Sequence, residues 1–199
     1  MKKVTLTLIL AYAALSGLVA QQPSADGPRF TNGTSLLRPT NYREWPFIGS
    51  SLGLAYTQVS DARQAAPPFA NVFVNPSSYR AFMQTGKWPD GTILILEVRR
   101  SSSDGALIKG GRYQTPEILV LEAQVKDSRL PDGWAFFSWG PGRALKDVAD
   151  PAPSTATGNG EATCVECHTK HAAVERTFVQ YYPTLLEVAR QKGTLNPGF

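Results

Sequence analysis

The chain has 199 residues, a formal charge of +4 at pH 7, 42% hydrophobic residues and only 2 cysteines and 2 histidines. That length supports one domain with a genuine core, and two cysteines exclude a small disulfide-built scaffold. Lys2 and Lys3 carry half of the excess charge, so once a leader is removed the remainder is too weakly basic to argue for nucleic acid.

Lys2 and Lys3 precede an uncharged, mostly apolar run over residues 4–18, and Ala20 stands before Gln21. This is the order of a secretory signal peptide, assigned here to residues 1–20. The run is shorter than a membrane span, and no later segment is long and apolar enough to be one. A periplasmic chain without a membrane span after signal removal is expected. Residues 21–36 are polar and rich in Gly and Pro, and read as a flexible lead-in to a domain over 37–199. Asn32-Gly33-Thr34 has the form of a glycosylation acceptor and is treated as chance.

"FANVFVNP" (69–76) alternates and stops at a proline, as a strand does. "PSSYRAFMQTG" (76–86) offers Pro at the start, serines for the cap and Gly at the end, the grammar of a short helix. The turn "PDG" (89–91) leads into the strand "TILILEVRR" (92–100). "EILVLEAQVKD" (117–127) is another strand, with Leu119, Leu121, Ala123 and Val125 on one face and Val120, Glu122, Gln124 and Lys126 on the other. "PDGWAFFSWGPG" (131–142) repeats the pattern of turn and strand, and 150–162 is a loop by composition. A helical pattern runs from Thr163 to about Tyr182, followed by a second helix over 183–193 that starts at Pro183. Strands first and helices last predict an α+β domain: a largely antiparallel β-sheet with short helices, one of them C-terminal.

"EATCVECHTKH" (161–171) holds every cysteine and histidine of the chain. On a helix Cys164, Cys167, His168 and His171 share one face, and one face cannot surround a tetrahedral zinc ion. A Cys-x-x-Cys disulfide would leave His168 without a role and lacks the expected βαβ context. Covalent haem uses all the parts: two thiols one turn apart for the vinyl groups, and the adjacent imidazole as proximal iron ligand. One haem c per chain is therefore expected on Cys164, Cys167 and His168. His171 lies on the same helix and reads as exposed, with a polar neighbour of the haem edge as the alternative. Met83 is the only thioether outside the signal and reads as core filler rather than sixth ligand. The iron is expected to be five-coordinate, open to a small gaseous or nitrogenous ligand.

The motifs "NYREW" (41–45), "VNPSSYRAFMQTGKWPDGT" (74–92), "LEAQVKDS" (121–128), "GWAFF" (133–137) and "CVECHTKHA...FVQYYPTLL" (164–186) make the chain resemble the cytochrome P460 family, which includes the beta-type cytochromes c′. The resemblance implies a homodimer with a C-terminal haem c and His168 as axial ligand. In hydroxylamine-oxidising members a lysine four residues past the Asp-Gly-Thr threonine is cross-linked to the porphyrin. Here that position is Leu96, while Lys87 precedes the turn and Lys109 falls in a loop. The resemblance thus implies the gas-binding branch, with hydroxylamine or peroxide chemistry and plain electron transfer as alternatives. Glu122 matches a distal carboxylate that relays protons, although on periodicity it also reads as part of a solvated face with Gln124 and Lys126. Leu96, Phe73 and Phe137 are candidate walls of the haem pocket, and each also reads as ordinary core. A small redox protein is a possible partner.

Overall fold

The computed structural model describes residues 24–54, 65–153 and 163–199; the expected signal peptide and most of the loop over 150–162 lie outside them. Five antiparallel strands form the main sheet: β3 (Phe47–Leu52), β4 (Phe69–Val74), β5 (Thr92–Ser102), β6 (Tyr113–Lys126) and β7 (Trp134–Gly140), in the order β3-β4-β5-β6-β7. A smaller antiparallel sheet has the order β1-β2-β8, from β1 (Phe30–Thr31), β2 (Ser35–Leu37) and β8 (Val148–Ala149). Three α-helices occur among the described residues: α1 (Pro76–Thr85), α2 (Cys164–His171) and α3 (Pro183–Lys192). The α+β class expected from the sequence is what the chain adopts, and no helix among the described residues is long and apolar enough to cross a membrane.

Because strand side chains alternate, the main sheet has two distinct faces. Ile95 pairs with Ala123, which pairs with Phe137; Leu96 pairs with Glu122, which pairs with Ser138. The first row belongs to a core with Ile93, Val125 and Trp139 that the small sheet covers through Leu36 and Ala149. The second row faces the helices. Phe82 of α1 and Leu185 and Ala189 of α3 pack there on Val74, Leu94 and Trp134. A register shift between Val98 and Arg99 brings Ile118, rather than the expected Leu119, against the first core.

The segment expected to be a loose lead-in is structured from Ser24 onward. Asn32 and Gly33 both have positive φ (49° and 84°) and turn β1 into β2, so the Asn-Gly pair is a hairpin signal. Leu36 is fully buried. Asp26 accepts from the backbone N–H of Ser77 at 2.8 Å and from its hydroxyl at 2.6 Å, so the cap of α1 comes from this segment and not from the helix's own serines. Gly86 ends α1 with φ 70°, and a Cβ there would lie 2.7 Å from the Thr194 hydroxyl.

The helical pattern over 163–182 is also divided. Helix α2 stops at His171, Ala172 is extended, and Glu175 takes a positive φ of 51° before a 3₁₀ turn at Val179–Tyr181. Burial explains the break, since Ala172, Ala173, Val174 and Thr177 are all inside. Asn196 secures the segment by donating to the carbonyls of Ala172 and Glu175 at 2.8 and 2.9 Å, and by accepting from the Glu175 N–H at 3.1 Å.

Glu97 places a carboxylate in the core of the main sheet. Burial pushes Glu97 up, but hydrogen bonds from Arg99, Tyr42 and Arg43 outweigh it and hold the carboxyl below its ordinary value. A depressed folded-state pKa contributes stability above the unfolded value of 4.5 and loses it as pH falls through the folded value. Glu97→Gln should therefore cost roughly 2 kcal/mol in urea unfolding at pH 7. The gap from wild type should narrow below pH 4.5.

Candidate haem site

Among the described residues, a cavity of about 250 Å³ opens between the helix-facing side of the main sheet, α2 and the segment before α3. Leu94 and Leu96 of β5, Val72 of β4, and Phe136 of β7 form its apolar floor. Cys164, His168, Phe178 and Tyr182 contribute from the other side.

Helix α2 begins with a reciprocal capping box. The Glu166 N–H donates to the Thr163 hydroxyl at 3.1 Å and the Thr163 N–H donates to Glu166 Oε2 at 2.7 Å. This fixes the first turn, where Cys164 and Cys167 stand three residues apart. Both are free thiols, Cys164 exposed and lining the cavity, Cys167 half-buried and outside its lining. Burial pushes both thiols up, and the Glu122 carboxylate adds to the effect at Cys164.

His168 is the most constrained side chain of the site. Its ring packs between Phe136 and Phe178, with centroids 4.6 and 4.1 Å away. Nδ1 lies 2.8 Å from the Arg176 carbonyl, which can only accept, so Nδ1 carries the proton and Nε2 keeps its lone pair. Burial lowers the imidazole pKa to about 4, against a smaller opposing effect of that hydrogen bond. A neutral, oriented imidazole with an available nitrogen is what an iron ligand requires. Together with two unpaired thiols one turn apart and an apolar cavity, the donor set fits a covalently held haem.

The candidate residues separate by sheet face. Leu96 and Glu122 are cross-strand partners in the cavity, and Ser138 hydrogen-bonds to Glu122 from β7. Burial pushes the Glu122 carboxyl up, only partly offset by Ser138. Phe73 does not reach the cavity: it pairs with Ile95 and packs on Tyr42 and Phe47, with 5.6 Å between ring centroids in each case. Phe137 touches the cavity edge while its ring packs on Phe30 in the first core. Met83 packs on the second core and does not line the cavity, and His171 is half-buried rather than exposed. Lys87 and Lys109 are exposed and outside the lining.

The face shared by Glu122, Gln124 and Lys126 is not solvated. Gln124 is buried and donates to the Arg176 carbonyl at 2.6 Å. Lys126 is 2.6 Å from Glu175 and donates to the Trp88 carbonyl at 2.8 Å. Phe136, Phe178 and Gln124 were the residues that sequence reasoning missed. Alternation puts Phe136 and Ser138 on one face of β7, and the pairing of Ser138 with Glu122 makes that the cavity face. Phe178 was hidden by the assumption that α2 continued.

A neutral, half-buried imidazole beside two free thiols, on an apolar cavity of an antiparallel sheet, defines a c-type haem protein. The family model for cytochrome P460 matches residues 39–179, which include β3 to β8, α1 and α2, and the chain belongs to that family. Membership implies a haem c and its iron. Comparison with curated proteins gives no match. Thr163→Ala, which removes half of the capping box, should lower the stability of the haem-loaded protein by about 1 kcal/mol in denaturant unfolding.

Proposed function

We propose that the chain is exported to the periplasm, carries one haem c attached through Cys164 and Cys167, and binds NO or a similar small ligand at a five-coordinate iron held by His168. The observation that carries this reading is the pair Leu96–Glu122: an aliphatic side chain stands where cross-linking relatives have lysine, beside a carboxyl whose burial favours its protonated form. The haem, when bound, supplies an iron with one open coordination position. Among the described residues that line the cavity there is no lysine or methionine and no second histidine, which supports an open position and an unmodified porphyrin.

Each part of the chain then has one task. Phe136 and Phe178 hold the His168 ring and exclude water from it. Leu94, Leu96 and Val72 keep the ligand pocket apolar, which favours uncharged diatomics over anions. Burial shifts the Glu122 carboxyl toward its protonated form, Ser138 hydrogen-bonds to it, and from this position it can donate a proton to a ligand that acquires negative charge. The reading includes a homodimer, which the family resemblance suggests, and a small redox protein as electron partner.

Hydroxylamine oxidation is the second reading, favoured by the same Glu122 carboxyl in the cavity. The absorption spectrum of protein matured with haem decides between them. An ordinary high-spin haem c spectrum, ferrous NO binding and no hydroxylamine turnover with an artificial acceptor are expected. A strongly red-shifted Soret band or robust turnover overturns the binding role. The double variant Cys164→Ala, Cys167→Ala should lose all haem that survives denaturing electrophoresis, whereas Met83→Ala should leave the ferrous spectrum unchanged.

A further inference from the structure

The carbonyl of Arg176 accepts two side-chain donors. Nδ1 of His168 lies 2.8 Å from it and Nε2 of Gln124 lies 2.6 Å from it. A carbonyl oxygen has two lone pairs and can take both, but each donor draws on the same electron density and lessens what the other receives. Gln124 is buried on β6, two residues from Glu122, so the sharing takes place away from competing water.

The oxygen does not owe its position to Gln124. The segment before it is held by Asn196, whose amide donates to the carbonyls of Ala172 and Glu175, and by the Lys126–Glu175 ion pair. On its other side the Thr177 hydroxyl accepts from the Trp88 indole at 2.8 Å and donates to the Val174 carbonyl at 2.8 Å. With the oxygen fixed by these bonds, removing the Gln124 donor leaves the acceptor in place and frees it for His168 alone.

We propose that Gln124 is a positioning residue that sets the strength of the proximal ligand: by sharing the Arg176 carbonyl, it limits how far the Nδ1–H of His168 is polarised and so how strongly Nε2 donates to iron. A hydrogen bond from the far nitrogen raises the basicity of a ligating imidazole, and a shared acceptor raises it less. A weaker proximal ligand stabilises the ferrous state and favours binding of neutral diatomics over oxidative chemistry. The inference rests on the haem reading above and deepens it.

The test compares ferrous, ligand-free holoprotein of wild type and Gln124→Met, a change close in volume that removes the donor. The iron–histidine stretching band in resonance Raman spectra should move to higher frequency, and the midpoint potential should fall. A wild-type band that is unmoved or moved to lower frequency in the variant overturns the proposal. The absence of any iron–histidine band in wild type overturns the five-coordinate reading instead. Should Gln124→Met fail to fold, the diamagnetic ferrous carbonyl form of wild type serves. Scalar coupling across both hydrogen bonds, from His168 Nδ1 and Gln124 Nε2 to the one Arg176 carbonyl carbon, supports the sharing. Coupling from His168 alone overturns it.

Discussion

An imidazole packed between two aromatic rings must place its N–H somewhere, and much of the C-terminal half is arranged to give that of His168 an acceptor. The acceptor is a backbone carbonyl eight positions later, at Arg176. To bring it back, the chain has to leave the helix at Ala172 and turn through the positive φ of Glu175. The bonds from Asn196, Lys126 and Trp88 all serve that one return. A continuous helix through Tyr182 would have carried the carbonyl away and left the ring free to rotate.

The sheet imposes the second condition. Its two faces carry unrelated tasks, and a one-residue slip exchanges them completely. Ile95, Ala123 and Phe137 close the first core, while Leu96, Glu122 and Ser138 stay within reach of the site. The buried Glu97, tied to Tyr42, Arg43 and Arg99, marks the register on the core side. Displaced by one position, its charge would enter the apolar cavity without partners.

Much of this was legible in residue order. Alternation gave the strands β4 to β7, proline and glycine bounded α1 and α3, and the spacing of Cys164, Cys167 and His168 gave the site its chemistry. What was hidden depends on contacts between distant residues. Phe136 and Phe137 are adjacent and alike, so only the pairing of β7 with β6 tells which one faces the cavity. Gln124 and Lys126 look like solvent-facing residues until the 172–178 segment is laid over them. Periodicity could not show where α2 ends, because burial of Ala172 to Val174 overrides helical propensity there. Asn32-Gly33 was noted only as part of a chance glycosylation form; it is the turn of the β1–β2 hairpin, and β2 in turn pairs with β8.

That last pairing bears on how the molecule comes together. The Ser35 hydroxyl donates to Asp150 at 2.6 Å across 115 positions of sequence, and Leu36 lies opposite Ala149. A chain emerging N-terminus first, from a ribosome or through a membrane, cannot close the small sheet until three quarters of it has passed. The small sheet thus acts as a late clasp, with its loop-closure cost deferred until β8 is made. Helix α2 follows β8 in the chain, so Cys164 and Cys167 are made only after the strands of both sheets.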